Sequence, residues 1–194
     1  MKISKLKKRQ VRCFCRCIGY THALKHMYKK QQGMTTQEKD LQALHILAPI
    51  SGQTIELGDV PDPVFSEKLT GDGLAILAEG DTVLAPCDGE ITLFFDTKHA
   101  FAITTPDGVQ VLVHVGLDTI IMNGNGLTAL KHSGEKVTAG TPILKLDRAL
   151  LEKHNINMIC PVLIVNYERV RKITPRMAGE SVVAGEDTVL QYAV

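Results

Sequence analysis

Residues 47–55 read Leu47-Ala48-Pro49-Ile50-Ser51-Gly52-Gln53-Thr54-Ile55, and residues 84–92 repeat the pattern as Leu84-Ala85-Pro86-Cys87-Asp88-Gly89-Glu90-Ile91-Thr92. A second element recurs three times: Gly80-Asp81-Thr82-Val83, Gly134-Glu135-Lys136-Val137 and Gly179-Glu180-Ser181-Val182. Each copy has a Gly-acid turn and a valine placed to point inward, and the last two continue to Gly140 and Gly185. Glycine at such turns supplies positive φ without steric cost. Repeated turn-and-strand units predict an all-β fold, a mostly antiparallel sandwich or barrel built from duplicated repeats of the hybrid-motif kind.

Helical signals are few. Asp62-Pro63-Val64-Phe65-Ser66-Glu67-Lys68-Leu69 has an acidic N-cap followed by Pro at the first helical position. Residues 126–131 form a single-turn candidate, and Asp147 caps a better one that ends near Asn155. Pro161–Val165 reads as a buried strand.

The 194 residues fit one domain with an appendage, and no apolar run is long enough to cross a membrane as a helix. The apolar fraction of 44% with only 5% aromatic residues and no Trp predicts a core of Val, Ile, Leu and Ala. Charge is unevenly spread. Residues 1–33 hold ten of the 22 Lys and Arg and no acid, which leaves the remainder with 12 basic and 21 acidic residues, a formal charge of −9. An acidic body argues against nucleic acid as a partner and suits a basic protein. Five cysteines without framework spacing, three of them at Cys13, Cys15 and Cys17, indicate a reducing compartment, and a cytoplasmic location is expected. Residues 1–40 are therefore expected to be a basic N-terminal extension, disordered or lying on a membrane surface, and residues 41–194 the working domain.

Thr97 to Asp118 carries the chemistry. Two strand-like runs flank the turn Pro106-Asp107-Gly108, and each run has a histidine, His99 and His114. Alternation puts Val109, Val111 and Val113 on one face and Gln110, Leu112 and His114 on the other, turning His114 outward or into a shallow depression. Gly116 leaves room for a close approach. Thr97 and Asp118 are both placed to orient an imidazole. His45, His132 and His154 lie among charged or loop residues and are assigned to solvated surface. Spacing alone leaves open that His99 and His114 are also hydrogen-bonded surface groups.

Three chemistries use such a pair. A zinc peptidase would add a His-x-His element, which the chain lacks. A biotin or lipoate carrier, suggested by Gly134 to Leu146, needs a modifiable Lys at a hairpin tip, whereas here the strand runs into Asp147-Arg148. Phosphoryl relay remains: a neutral imidazole Nε2 is a nucleophile near pH 7, a second imidazole donates a hydrogen bond, and Phe65, Phe95, Leu112 and Val115 limit water. No Gly-rich nucleotide loop with Lys and Ser/Thr is present, so the phosphate is expected from another protein.

These residues resemble the glucose-type enzyme IIA domain of the bacterial phosphoenolpyruvate-dependent sugar phosphotransferase system. The resemblance rests on residues 48–52, Val60-Pro61-Asp62-Pro63-Val64-Phe65-Ser66-Glu67-Lys68, Gly71-Asp72-Gly73, Ala85–Gly89, Thr97-Lys98-His99-Ala100-Phe101, Val113-His114-Val115-Gly116-Leu117-Asp118-Thr119 and Thr141-Pro142. It implies a compact β-sandwich with no cofactor, His114 as the phosphorylated residue, His99 as its transition-state partner and Thr97 as the residue that orients His99. It also implies partner contacts at Phe65, Phe95, Val115, Gly116 and Asp118. Phosphate would arrive from the histidine-containing phosphocarrier protein and leave to a cysteine of the IIB domain of a sugar permease. The resemblance gives no resident metal, although His99 and His114 would be available to one at a protein interface. The alternative it implies is regulation, with the same face inhibiting permeases or kinases when unphosphorylated. Leu112 stands where the family often has Phe, and Cys87 and Cys160 read as packing residues. The basic extension has no counterpart in the resemblance, and peripheral membrane contact is one expectation for it.

Overall fold

The computed structural model describes residues 44–194. The expectations for residues 1–40, and the boundary at residue 41, lie outside the described residues. The chain forms β1 (Leu44–Leu47), β2 (Gly52–Glu56), α1 (Pro63–Ser66), β3 (Asp72–Ala78), β4 (Thr82–Leu84), β5 (Gly89–Phe94), β6 (Ala100–Thr104) and β7 (Gln110–His114). It continues through β8 (Leu127–Ala129), β9 (Lys136–Val137), β10 (Pro142–Leu146), α2 (Arg148–Lys153), β11 (Ile159–Ile164), β12 (Lys172–Pro175), β13 (Ser181–Val182) and β14 (Thr188–Ala193). Among the described residues the strands pair antiparallel, in an eight-stranded sheet of order β13-β2-β3-β11-β7-β6-β5-β9 and two three-stranded sheets, β1-β14-β12 and β4-β10-β8. The expected all-β architecture is what forms.

The sequence repeat becomes a repeat of the large sheet. Its two ends, β13-β2-β3 and β9-β5-β6, carry the same backbone bonds at matching positions. The Gly179 N–H donates to Thr54 O at 2.8 Å, and the Gly134 N–H donates to Ile91 O at 2.8 Å. Thr54 N–H reaches Glu180 O at 2.9 Å, as Ile91 N–H reaches Glu135 O at 2.9 Å. Gly185 N–H to Ala48 O and Gly140 N–H to Ala85 O complete the correspondence. The inward valines Val83, Val137 and Val182 are all buried.

The first glycine of each long repeat answers to both torsion and space, with φ of 158° at Gly52 and 157° at Gly89. A Cβ on Gly52 would lie 2.1 Å from the Leu77 carbonyl oxygen, and one on Gly89 would lie 2.3 Å from that of Thr104. Gly73 faces Val162 O equally closely, at 2.1 Å. Neighbouring strands thus approach where a side chain would force the backbone apart.

The alternation in β7 holds. Val111 and Val113 enter the main core with Phe101, Ile103 and Val109, while Leu112 packs in a smaller cluster on the opposite face with Phe65, Ala100, Ala102 and Leu163. Each fully buried aliphatic side chain contributes about 1.5–3 kcal/mol. The segment carrying Leu57, Val60 and α1 covers that second face. The side chain of Asp62 accepts from the Val64 N–H and caps α1, as its position before Pro63 predicts. Asp147 caps α2 through the Leu150 N–H.

One helix expectation fails. Residues 126–131 contain β8, not a helical turn, because Leu127–Ala129 pairs with Leu144–Leu146 of β10 and buries Leu127. Pairing with a waiting strand edge overrides the local preference of a short segment. A 3₁₀ turn at Thr119–Met122, unread in the sequence, follows the left-handed residue Asp118. Among the described residues no helix is long and apolar enough to cross a membrane.

Gly89→Ala is expected to lower stability by about 1–3 kcal/mol through overpacking. Gly58→Ala, where a Cβ meets nothing within 4 Å, is expected to stay within about 0.5 kcal/mol of the parent. Urea unfolding of both variants checks this, and equal stabilities would remove the close-approach explanation.

Candidate active site

β6 and β7 bring the two histidines together. Ala100 stands directly opposite His114 in the register, and the Val115 N–H donates to His99 O at 2.8 Å. The ring centroids of His99 and His114 are 5.2 Å apart at 68°. His99 is buried and His114 half-buried, both on the wall of an open depression of about 540 Å³.

Each imidazole is fixed through Nδ1. His114 Nδ1 lies 2.9 Å from the Gly116 carbonyl oxygen. A carbonyl only accepts, so Nδ1 carries the hydrogen, and in the neutral ring the Nε2 lone pair is free. Gly116 can turn its carbonyl back because its φ is 70°, and a Cβ there would press on Thr119 Oγ1 at 2.7 Å. Its N–H is held in turn by Cys160 Sγ at 3.3 Å. His99 Nδ1 is hydrogen-bonded to the Thr97 hydroxyl. With that hydroxyl as donor, His99 holds its proton on Nε2.

Aromatic rings set the remaining freedom. Phe65 meets His114 edge-on at 5.2 Å, and Phe95 lies 4.7 Å from His99. Around them Val64, Leu93 and Phe95 are exposed apolar groups, with Phe95 40% accessible. Burial pushes the pKa of His99 below its ordinary value. Burial also lowers that of His114, as does the neighbouring His99, while the Gly116 hydrogen bond, Asp62 and Asp118 pull it back up. A neutral, desolvated ring with one free nitrogen is a competent nucleophile.

The structure therefore gathers Thr97, His99, His114, Phe65, Phe95 and Gly116, with Asp118 close enough to act by charge. Two expectations change. Asp118 does not hydrogen-bond the His114 ring; the left-handed Gly116 brings a backbone carbonyl to Nδ1, and exposed Asp118, itself at φ 57°, acts only through its field. Val115 does not offer its side chain to a partner or to the histidines, because it is fully buried in the main core, the face opposite Leu112. Phe65, itself buried, lines the depression from within. Sequence reading missed the influence of Asp62 on His114, having taken that residue only as a helix cap; nothing local signals that α1 folds over the second face of the sheet.

His45, His132 and His154 are exposed as expected. Cys87 and Cys160 are buried, and burial raises each thiol to about 12, consistent with packing roles. Among the described residues no group of three or more His, Cys, Asp or Glu side chains comes together to hold a metal.

Comparison with known proteins identifies the family. The family model for the phosphoenolpyruvate-dependent sugar phosphotransferase system, EIIA 1, matches residues 44–170. A glucose-specific EIIA component of Borreliella burgdorferi is 42% identical over 135 residues, covering 70% of this chain and 71% of that protein. The corresponding component of Haemophilus influenzae is 41% identical over 147 residues, covering 76% of this chain and 87% of its own. The solved glucose permease IIA from Mycoplasma capricolum superposes with a TM-score of 0.70 at 33% identity, covering 77% of this chain and 96% of that one. The chain belongs to the EIIA 1 family of the phosphoenolpyruvate-dependent sugar phosphotransferase system and is one of its phosphoryl-relaying carriers.

Proposed function

We propose that His114 carries the phosphoryl group on Nε2 and that His99, oriented by Thr97, stabilises the transferring group. The observation that supports this most directly is the Nδ1 bond of His114 to the Gly116 carbonyl, which leaves Nε2 as the free nitrogen beside His99. The Nε2 lone pair attacks phosphorus, the donor's P–N bond breaks, and the donor ring keeps that electron pair. In the onward step a thiolate attacks phosphorus and the P–Nε2 bond breaks, while the Nδ1 proton stays in place throughout. His99 Nε2–H donates to an equatorial phosphoryl oxygen, a contact that strengthens as charge spreads in the transition state.

The donor is the histidine-containing phosphocarrier protein and the acceptor a cysteine of the IIB domain of a membrane sugar permease, so that the relay serves sugar uptake from the cytoplasmic side. Exposed Val64, Leu93 and Phe95, flanked by Asp62 and Asp118, suit partners that present apolar surface with basic residues. Residues 41–194 make up this phosphocarrier domain, with residues 1–40 as a basic extension. The face needs no cofactor to do this chemistry.

Incubation with phosphoenolpyruvate, enzyme I and the phosphocarrier protein is expected to give an acid-labile, base-stable phosphohistidine, and His114→Ala to abolish it. Phosphate retained by His114→Ala would refute the assignment. His99→Gln is expected to accept phosphate but pass it on about 10²-fold more slowly, the usual loss for one transition-state donor. Unimpaired onward transfer by that variant would remove His99 from the role.

The pH dependence has a definite sign. Because burial holds the His114 pKa below 6.5, the neutral ring predominates down to that pH, and phosphate acceptance is expected to fall with a midpoint below it. The unfolded chain takes up these protons first, so stability also begins to fall as pH drops through 6.5 and keeps falling down to the depressed folded values. Stopped-flow transfer rates check the profile. A half-maximal rate at or above pH 6.5 would contradict it.

A further inference from the structure

Lys98 lies between the two residues that act together at the site, Thr97 and His99, and its backbone is left-handed at φ 58°. Lysine has no short polar side chain to bond locally in that region, so something else must hold the conformation. The ammonium itself is tethered away from this backbone. Nζ donates to the Leu127 carbonyl at 3.1 Å, at the start of β8. On the way the stem runs close over Gly124, where a Cβ would come within 3.7 Å of Nζ and 3.8 Å of Cδ and Cε. The receiving loop is itself fixed, with Asn123, Gly124 and Gly126 all at positive φ and Leu127 buried.

This anchorage bears on where His99 points. Ala100 shares a face with His114, so strict alternation would send the preceding side chain through the sheet to the opposite face. Instead the turn closed by the Lys98 N–H to Phe95 O bond, at 2.7 Å, ends in the left-handed residue, and the His99 ring emerges beside His114. We infer that Lys98 is a positioning residue of the relay: its left-handed backbone, held by the ammonium bond to the Leu127 carbonyl, aims the His99 imidazole at His114. The inference rests on the proposed role of His99.

Lys98→Met keeps the apolar stem and removes the donor; Lys98→Arg restores one. In the full chain, Lys98→Met is expected to accept phosphate within about twofold of the parent yet transfer it onward about tenfold more slowly, as a small misplacement of a catalytic group does. Lys98→Arg should recover most of that rate. In a His99→Gln background, Lys98→Met should have no further effect. Ring ¹⁵N–¹H spectra should show His99 in one tautomer in the parent and an exchanging mixture in Lys98→Met. Parent-like transfer by Lys98→Met, or equal slowing in the His99→Gln background, overturns the inference. If His99→Gln alone transfers at the parent rate, the role of His99 falls, and the ring spectra then decide for Lys98: an unchanged tautomer refutes it.

Discussion

The register of β6 on β7 is the constraint on which the site depends. With Ala100 opposite His114, the valines of β7 enter the main core and His114 faces the other side. A slip of one residue would exchange these faces, burying an imidazole among aliphatic side chains and exposing Val111 and Val113, so the core enforces the register. Hydrophobic burial therefore sets the face on which His114 stands, and its bond to the Gly116 carbonyl then orients the ring. β7 is also central to the large sheet, paired on its other edge with β11, which makes it a rigid base for chemistry that tolerates little misplacement.

Around that base the local chain supplies what the sheet cannot. Regular strand geometry leaves both nitrogens of an outward imidazole free, and relay chemistry needs one of them tied. On each side of the pair the chain leaves the strand through a left-handed residue, Gly116 after His114 and Lys98 before His99. The first turn delivers a carbonyl to His114 Nδ1, and the second lets Thr97 reach His99 Nδ1. With the Thr97 hydroxyl as donor, the two rings have complementary Nε2 atoms, a lone pair on His114 and a hydrogen on His99. The covering segment with α1 then adds Phe65 against His114 and the carboxylate of Asp62 nearby. The pKa of His114 reflects a balance in which desolvation by these neighbours is the largest influence and the carboxylates partly offset it.

Much of the scaffold was legible because its causes are local or periodic. The repeated Gly-acid and Ala-Pro segments matched the two ends of the large sheet bond for bond, since the same turn chemistry makes the same backbone geometry. The caps Asp62 and Asp147 acted where their spacing placed them. Residues 126–131 did not follow their local signal, because a strand edge on β10 was available to pair. Val115 looked like a neighbour of the histidines by sequence distance, but alternation carries it to the opposite face.

The sequence by itself determined the β class, the duplicated sheet and the outward face of His114, because side-chain alternation, turn preference and burial are properties of short segments. The resemblance of its motifs separated the roles of the two histidines, which spacing did not. Only the tertiary structure decided that His99 turns onto the same face, that a backbone carbonyl rather than Asp118 orients His114, and that Asp62 and Phe65 arrive from another segment. Each of these depends on where a turn or a covering strand ends after the sheets have packed, and no local pattern encodes that position.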